Sequence, residues 1–511
     1  MPRAPSQAPV SGWADQDRHL FDWFRIRTSS KLPGSFISEF WTTLVLQTSL
    51  AEPAVLHAVL ALGAIHRGGI IDGGAVSLPH REQSSALRHY TRAINHLKPH
   101  LASDYREKGS LRVTLIACVV FISLELLSGN FEIASLHLRN GLSILRGEQG
   151  RDEDDDDPVL RVDAHGDLID DWLIEAFQRL QLQVQLLNGP GPAKPTIFRT
   201  VGPEVPPVRF GTFKDAWKDL EVLMNKILHE EHRGRLRHDN SSGAAGAVSA
   251  DTATLYRYEQ IKAGLSRWLD LYTVFRRGYH KPASTRESKA LLLLVCYHNM
   301  AGIMVEASLR PDDEMVFDDF TPQFLRLLGD LIELREISKE SVIAQKLKGG
   351  HGGVMETTTT MQQSLEMDMA GSIIDLGWIA PLYYLATKCR NHRIRLHAVR
   401  LLRTTSHREG MYDASSAYEV VQKVMGIEED GFFDGLLSGQ EEDFDLGVIP
   451  TEQDVRGMPA LPDGRRLRRL EVLLLGTPMD RIRLMHSGVA EQGVGKVFLA
   501  EYIVKNRVWV P

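Results

Sequence analysis

The chain has 511 residues, of which 43% are hydrophobic and 24% charged, and its formal net charge at pH 7 is −7. This length exceeds the size at which one hydrophobic core usually stops growing, so a large core is expected and wholesale disorder is not. The negative charge argues against a chain that binds nucleic acid over its whole surface, because such proteins normally carry a basic field.

The N-terminal segment contains no apolar run, so we expect no signal peptide, and its prolines predict a disordered arm over residues 1–15. The longest apolar stretches cover residues 113–127 and 291–305, and the second contains His298 and Asn299. Both are shorter than the roughly 20 residues that a membrane-spanning helix needs. We therefore expect two buried core helices and no membrane contact.

The three cysteines, Cys118, Cys296 and Cys389, are widely separated in the sequence. A disulfide framework needs more pairs, and a structural zinc site needs clustered thiolates. We therefore expect buried free thiols that act as small hydrophobic residues in a reducing compartment.

Apolar residues recur with helical spacing along most of the chain. Pro33 and Gly34 end the first segment, Ser38 can cap a helix that runs to about residue 50, and Pro53 opens the next helix. The predicted fold class is all-α, a large multi-helix domain of packed helical hairpins. Further helices are predicted over residues 81–98, 110–127, 131–146, 166–188, 212–232, 252–277, 286–308, 322–346, 372–389, 392–404 and 414–426.

These apolar patterns also predict the core. Each of a small set of side chains lies in an apolar helical stretch and is expected to be buried: Trp41, Leu60, Cys118, Phe121, Trp378 and Tyr383.

Strand signals are confined to the C-terminal region. There, the stretch that begins at about residues 466–473 and the stretch 496–510 can pair as a small β-hairpin. The stretch 488–496 resembles a phosphate-binding loop in its glycines, but the spacing is wrong and no strand precedes it. We expect a turn between two terminal strands instead.

One pattern of small residues and leucines occurs twice, 48 residues apart. Two side-by-side helical hairpins, as in tetratricopeptide-type arrays, would produce it, and so would two amphipathic helices that share a pattern by chance. The matched residues are Ala86, Ala93, Ile94 and Leu97 in the first copy and Ala134, Gly141, Leu142 and Leu145 in the second.

Composition predicts the domain division. Residues 16–426 form the helical domain, interrupted by an acidic loop at 151–158, an insertion at 239–250 and a Gly/Thr loop at 348–360. Residues 427–465 have few periodic apolar positions and many acids, which predicts an irregular acidic segment, and residues 466–511 form the C-terminal tail.

Motifs for known chemistry are scarce. The sequence contains no G-x-S-x-G elbow, no G-x-x-x-x-G-K-[ST] loop and no H-E-x-x-H. His229 and His232, with His238 nearby, have a spacing that could form part of a metal site, but no third ligand is dictated, so we favour a solvated polar helix end. We therefore predict no catalytic, cofactor-binding or metal site, and no enzyme.

Three blocks of the sequence together resemble one known protein family. Residues 36–67 contain Glu-Phe-Trp, Glu-Pro-Ala and Ala-Leu-Gly-Ala-x-His, and residues 113–145 contain Leu-Ile-Ala-Cys. Residues 377–414 contain Trp-Ile-x-Pro-Leu-Tyr, Lys-Cys-Arg and Arg-Glu-Gly. In this order the blocks closely resemble the middle-homology, or fungal-specific transcription factor, region of fungal zinc-binuclear-cluster regulators. The resemblance extends less specifically over most of residues 16–426.

The resemblance implies a transcription regulator in the nucleus, with the cytoplasm as a second location, that acts through protein partners and a possible small-molecule effector. Regulators of this kind often control a biosynthetic gene cluster. Six clustered cysteines normally bind two zinc ions and position a helix in the major groove, and three scattered cysteines cannot form that site. Either the cluster lies in a segment that this sequence does not include, or the protein acts through a DNA-binding partner, and the sequence does not choose between the two. For these 511 residues, DNA contact is expected to be indirect. The alternative is a helical small-molecule-binding protein or enzyme on the same scaffold.

Two oppositely charged segments adjoin each other. Residues 426–450 interleave acids with a set of apolar side chains typical of an acidic activation segment: Phe432, Phe433, Leu436, Leu437, Phe444 and Leu446. The acids are expected to keep the aromatic residues of this set solvated and available to a partner. The preceding stretch lacks acids and predicts a basic interaction face, in large part outward-facing: Arg390, Arg393, Arg395, Arg400 and Arg403. The acidic segment could mask itself on this basic helix, or the two could be unrelated solvated surfaces.

Overall fold

A computed structural model describes most of the chain. The described residues are 14–72, 75–77, 79–102, 108–147, 159–162, 171–188, 197–200, 206–241, 252–279, 282, 284–310, 313–349, 367–368, 371–405, 407–434, 444–490 and 493–511. The predicted acidic loop at 151–158 and most of the arm at 1–15, the insertion at 239–250 and the Gly/Thr loop at 348–360 lie outside them.

Helices dominate the described residues, which confirms the predicted all-α class. The α-helices are α1 Asp15–Trp23, α2 Ser29–Lys31, α3 Val45–Ala51, α4 Pro53–Gly68, α5 His80–Ala102, α6 Lys108–Ser128, α7 Phe131–Gly147, α8 Asp171–Asn188, α9 Phe213–Ser241, α10 Thr252–Arg277, α11 Thr285–Ala307, α12 Thr321–Gly349, α13 Ile379–Lys388, α14 His392–Arg403, α15 Ala414–Glu429 and α16 Glu452–Arg456. Two π-helical segments, Phe24–Thr28 and Phe40–Leu44, and three 3₁₀ segments, Glu314–Phe320, Asp463–Arg465 and Val504–Asn506, join them.

The strands are short except near the C-terminus. They are β1 Ile70–Asp72, β2 Ala75–Ser77, β3 Val159–Val162, β4 Ile197–Thr200, β5 Met367–Asp368, β6 Arg408–Glu409, β7 Tyr412–Asp413, β8 Glu471–Gly476, β9 Met479–Ala490, β10 Gly493–Ile503 and β11 Val508–Val510. The last four form an antiparallel sheet in the order β11-β10-β9-β8. The predicted C-terminal β element is therefore confirmed, but its pairing differs, because β9 lies between the two segments expected to pair.

The core is built around α4, α6 and α11. Pro53 occupies the first turn of α4, and Ser284 caps α11 by accepting a hydrogen bond from the backbone N–H of Glu287. Residues 109–128 and Thr285–Ala307 are long and apolar enough to cross a membrane, but 89% and 72% of their most apolar windows are buried inside the protein. That burial favours core helices, as the sequence predicted.

The predicted repeat corresponds to two hairpins, α4–α5 and α6–α7, that pack against each other through α4, α5 and α6. The matched positions are buried in both copies, with one exception. Ile94 on α5 is 40% exposed, whereas its counterpart Leu142 on α7 is 6% exposed.

Most of the predicted core is buried. Trp41, Leu60, Phe121 and Tyr383 are each no more than 5% exposed. Cys118 and Trp378 are only half-buried, so the prediction was wrong for these two. Trp378 lies at the start of α13, which begins seven residues after the predicted start at residue 372. The preceding stretch is not helical because its Ile373 forms a β-bridge with Glu409.

Several helices extend past their predicted ends, among them α5, which continues to Ala102, and α12, which continues to Gly349. α9 continues to Ser241, and α15 continues to Glu429, three residues into the segment predicted to be irregular. The division into domains at residues 15, 426 and 465 stays a prediction.

We expect Trp41→Ala and Phe121→Ala each to lower the free energy of unfolding by about 3–5 kcal/mol, because each leaves a cavity in a close-packed core. Urea titration measures the change. Leu255→Ala is the control, since Leu255 is 47% exposed on α10 and should change stability by less than about 0.5 kcal/mol. Equal midpoints for the core variants and the control would contradict the assigned core.

Candidate functional site

The predicted basic and acidic segments meet around α13, α14 and α15. Glu409 fixes the start of α13, because its carboxylate accepts hydrogen bonds from the backbone N–H groups of Trp378, at 3.1 Å, and Ile379, at 2.7 Å. The Asn391 side chain caps α14 and the Asp413 side chain caps α15. These caps place the C-terminal end of α15 beside the first turn of α14.

The inner side of α14 is apolar. Ile394, Ala398, Leu401 and Leu402 are all fully buried. The expectation that the arginines mostly face outward was wrong for two of them, since Arg390 is 3% exposed and Arg395 is 0% exposed. Buried guanidinium groups need acceptors, so their partners define the site.

Glu428, at the end of α15, is the shared partner of both arginines. Its carboxylate lies 3.0 Å from Nη2 of Arg390 and 2.6 Å from Nη2 of Arg395, and it accepts a hydrogen bond of 2.8 Å from the backbone N–H of Leu467. Burial by itself would raise the pKa of Glu428, but Arg395 and Arg390 outweigh burial and lower that pKa to about 2. The carboxylate is therefore ionised at every physiological pH.

A second buried carboxylate extends this cluster. Oε2 of Glu314 lies 2.9 Å from Nη1 of Arg390, and its Oε1 lies 3.1 Å from Nζ of Lys388. Burial raises the pKa of Glu314, and the charges of Lys388 and Arg390 more than reverse that effect and lower it. Arg395 also donates from Nε to the carbonyl oxygen of Ala386 at 2.9 Å.

The chain turns back directly after α15. Asp430 and Gly431 both have positive φ values, of 34° and 71°. This reversal brings the ring of Phe433 to 4.8 Å from the ring of His392, whose Nδ1 lies 2.8 Å from the Glu429 carboxylate. Phe433 is 2% exposed, so the expectation that the aromatic residues of the acidic segment stay solvated was wrong for this residue.

Phe444 lies on the outer face of α14. Its ring centroid is 4.7 Å from Cζ of Arg393 and 4.4 Å from Cζ of Arg400, and it also contacts the ring of His397. Nε2 of His397 lies 3.2 Å from the carbonyl oxygen of Leu446. Part of the acidic segment therefore contacts the basic helix, which is the arrangement that a masked segment requires.

The remaining candidate residues divide into three groups. Phe432 is half-buried against Phe433 and lies 5.6 Å from Cζ of Arg465. Arg403 is exposed at the end of α14. Leu436 and Leu437 lie outside the described residues.

A groove of about 400 Å³ separates α14 from α15. Apolar side chains of Leu396, Val399 and Met425 line it, together with the polar groups of Arg403 and Tyr418. The groove therefore presents both apolar and polar side chains to solvent.

The histidines of α9 are not at a solvated helix end, so that expectation was wrong. His229 is 8% exposed and His232 is 5% exposed, and α9 continues past both to Ser241. Within the part of the chain that the structure describes, no group of three or more His, Cys, Asp or Glu side chains is arranged to hold a metal ion.

Sequence reasoning missed several members of the cluster. Arg466 is 5% exposed and contacts the Asp318 carboxylate at 2.6 Å, and it donates to the carbonyl oxygens of Glu314 and Leu461. Arg466 lies 148 residues from Asp318 in the sequence, so no local pattern could have linked them.

Glu428 makes the pH dependence of stability predictable. Its pKa is lower in the folded chain, at about 2, than the ordinary value of 4.5, so it contributes on the order of 3 kcal/mol above pH 5 that is lost as the pH falls toward 2. In urea titrations across this range, Glu428→Gln should flatten the dependence. At pH 7 it should cost about 3–5 kcal/mol, because two buried arginines lose the carboxylate that they share.

The control for Glu428→Gln is Glu452→Gln, whose ion pair with Arg456 is exposed. The control should change stability by less than about 1 kcal/mol at any pH. If Glu428→Gln matched this control at pH 7 and kept the parent's acid dependence, the buried cluster would not exist in solution.

Comparison with known proteins finds similarity to fungal transcription regulators. Residues 19–194 match the model of the fungal-specific transcription factor domain. Over 141 residues the chain is 30% identical to the transcription regulator lscL of Purpureocillium lilacinum, an alignment that covers 26% of this chain and 33% of the relative. Over 477 residues it is 21% identical to the aspercryptin biosynthesis cluster-specific transcription regulator atnN of Emericella nidulans, covering 83% of this chain and 75% of the relative. No solved structure matches the chain.

Proposed function

We propose that this chain, which carries a fungal-specific transcription factor domain over residues 19–194, is a transcription regulator that acts in the nucleus. The observation that supports this most directly is that both relatives described above are named transcription regulators. One of them is named for a biosynthetic cluster, which supports a pathway-specific role for this chain too. The chain spans about a third of the first relative's length, so its whole activity is part of the proposal.

The regulator acts through protein contacts and reaches DNA indirectly. Its 511 residues contain three cysteines, too few for the six-thiolate cluster of this class of regulator. The net charge of −7 does not favour phosphate contact either. The sequence specificity is therefore supplied from outside these 511 residues, by a DNA-bound partner protein or by a segment that this sequence does not include.

The acidic segment is the effector, and its contacts with α14 mask it. Two groups of contacts carry this part of the proposal, the buried pairing of Glu428 with Arg390 and Arg395 and the stacking of Phe444 on Arg393 and Arg400. The buried pairing of Glu428 fixes where the acidic segment starts. The stacking of Phe444 is at the surface, so release of Phe444 exposes an aromatic side chain among acids to a partner.

The alternative function is a small-molecule-binding protein or an enzyme on the same helical scaffold. The groove between α14 and α15 favours the binding protein, and the same groove could hold an effector of the regulator. The relatives' names favour a non-enzymatic role. Saturable small-molecule binding that leaves reporter activity unchanged would favour the alternative.

We expect the purified chain of residues 1–511 to bind no defined DNA sequence at physiological salt. Specific DNA-binding proteins typically reach dissociation constants of about 10⁻⁸ M or tighter. Footprinting measures this, and the same chain fused to a heterologous DNA-binding domain is the positive control. A footprint from the unfused chain would refute indirect recruitment.

We expect the double variant Arg393→Ser/Arg400→Ser to raise reporter activity when the full chain is fused to a heterologous DNA-binding domain. Each cation–π contact is worth about 0.5–1 kcal/mol at an exposed site, so losing both should increase the released fraction by about 5- to 30-fold. Arg403→Ser is the matched control, since Arg403 is exposed on the same helix. Addition of Phe444→Ala should abolish the gain.

A fusion of residues 426–450 alone tests the effector directly. It should activate the reporter, and the triple change of Phe432, Phe433 and Phe444 to Ala should silence it, because aromatic side chains supply the apolar contacts of such segments. The proposal fails if the triple variant is as active as the parent fusion and the double arginine variant does not differ from Arg403→Ser. The segment would then be only a solvated acidic loop.

A further inference from the structure

Three segments that are distant in the sequence meet at the N-terminal end of α11. The carbonyl oxygen of Leu32, directly after α2, accepts a hydrogen bond of 2.8 Å from the backbone N–H of Ile374, in the segment before α13. Nε of Arg286 on α11 donates to the carbonyl oxygen of Ser35 at 3.0 Å. These bonds hold the end of α2, the start of α11 and the segment before α13 together.

This junction gathers three cationic side chains. Lys31 is the last residue of α2, and Arg286 and Lys289 lie in the first two turns of α11, three residues apart and therefore on one side of the helix. Lys31 is accessible to solvent, whereas Arg286 and Lys289 are half-buried. The three residues, called the α2–α11 cation cluster, can therefore be reached from outside although protein encloses them in part.

The charges of this cluster act on one another. Burial lowers the pKa of Lys31, Glu409 raises it, and the charge of Arg286 lowers it further. Burial also lowers the pKa of Lys289, and the charge of Lys31 adds to that decrease while Glu409 opposes it. Like charges that are brought together in partly desolvated surroundings disfavour one another, and groups perturbed in this way are concentrated at functional sites.

The cluster lacks an acid partner of its own. Within the described residues, no carboxylate lies at ion-pair distance from any of the three cations, and the buried Nη2 of Arg286 has no hydrogen-bond acceptor. Glu409 is the acid whose charge reaches both lysines. Its carboxylate already accepts the two N–H groups that begin α13 and lies 2.8 Å from Nε2 of His407. Three cations and this one carboxylate leave a local net charge of about +2.

We propose that the α2–α11 cation cluster binds the phosphate group of a small, soluble phosphate monoester. Such a group carries about −1.5 to −2 charges at pH 7 and three terminal oxygens, which matches both the charge of the junction and its three cationic donors. A carboxylate offers one charge and two oxygens. A nucleic acid needs a track of cations along its backbone, and here the cations meet at one point. The site is separate from the groove between α14 and α15 and goes beyond the proposed function.

Isothermal titration calorimetry on the full chain tests this site. The probe is phenyl phosphate, and the matched comparison is phenyl sulfate, which has the same tetrahedral shape but a single negative charge. We expect saturable binding of phenyl phosphate at one site, and binding of phenyl sulfate that is about tenfold weaker or more, because charge-assisted contacts to the cations carry the affinity. Lys31→Gln/Lys289→Gln should weaken phenyl phosphate binding by about tenfold or more for the same reason.

The matched control is Lys98→Gln/Lys505→Gln, which removes two exposed lysines outside the junction and should leave phenyl phosphate binding unchanged. Without ligand, Lys31→Gln/Lys289→Gln should not lower the melting temperature, because neither lysine has an acid partner to lose. A lower melting temperature with unchanged probe affinity would assign these lysines to the fold alone and overturn the proposal.

Three further results would also overturn it. The first is that the parent chain shows no saturable binding of phenyl phosphate, and the second is that it binds phenyl sulfate equally well. The third is that Lys31→Gln/Lys289→Gln loses binding only to vesicles that contain phosphatidic acid or only to duplex DNA, because the cluster then serves a lipid surface or a nucleic acid.

Discussion

The Glu428 carboxylate is the ion partner that two guanidinium groups buried in the helical core share, those of Arg390 and Arg395. A buried charge without a partner costs several kcal/mol, so α14 can pack its apolar side inward only if α15 delivers this carboxylate to its first turn. The same carboxylate accepts the backbone N–H of Leu467, four residues before β8. The position of the C-terminal sheet against the helices therefore depends on the ion pairs that fix α14 and α15.

Much of the fold could be predicted from the sequence, because helical period, proline at a first turn and polar caps are local signals. The helices from α4 to α7 follow them closely. Even the burial of Arg395 was present in the pattern, since it lies three residues before Ala398 and seven before Leu402 on the inner side of α14. The basic composition of the stretch predicts an outward-facing Arg395, whereas this spacing places it on the buried side.

The ion partners of the buried arginines could not be predicted, because the acids that neutralise Arg390, Arg395 and Arg466 are distant from them in sequence. Glu428 follows Arg390 by 38 residues, and Asp318 precedes Arg466 by 148. Only the tertiary fold brings such groups together. The reversal at Asp430 and Gly431 was equally hidden, although it is what moves Phe433 from solvent to the ring of His392. Amphipathic composition alone therefore overestimates how much of an acidic segment is available to a partner.

The two contacts between the acidic segment and α14 differ in strength, and this difference suits a regulated release. Removing one member of the buried Glu428 cluster costs about 3–5 kcal/mol, whereas the surface stacking of Phe444 on two arginines is worth about 1–2 kcal/mol in total. A partner of modest affinity can therefore displace Phe444 while α13, α14 and α15 stay folded. The buried cluster sets where the segment is anchored, and the weaker surface contact is the part that a partner can replace.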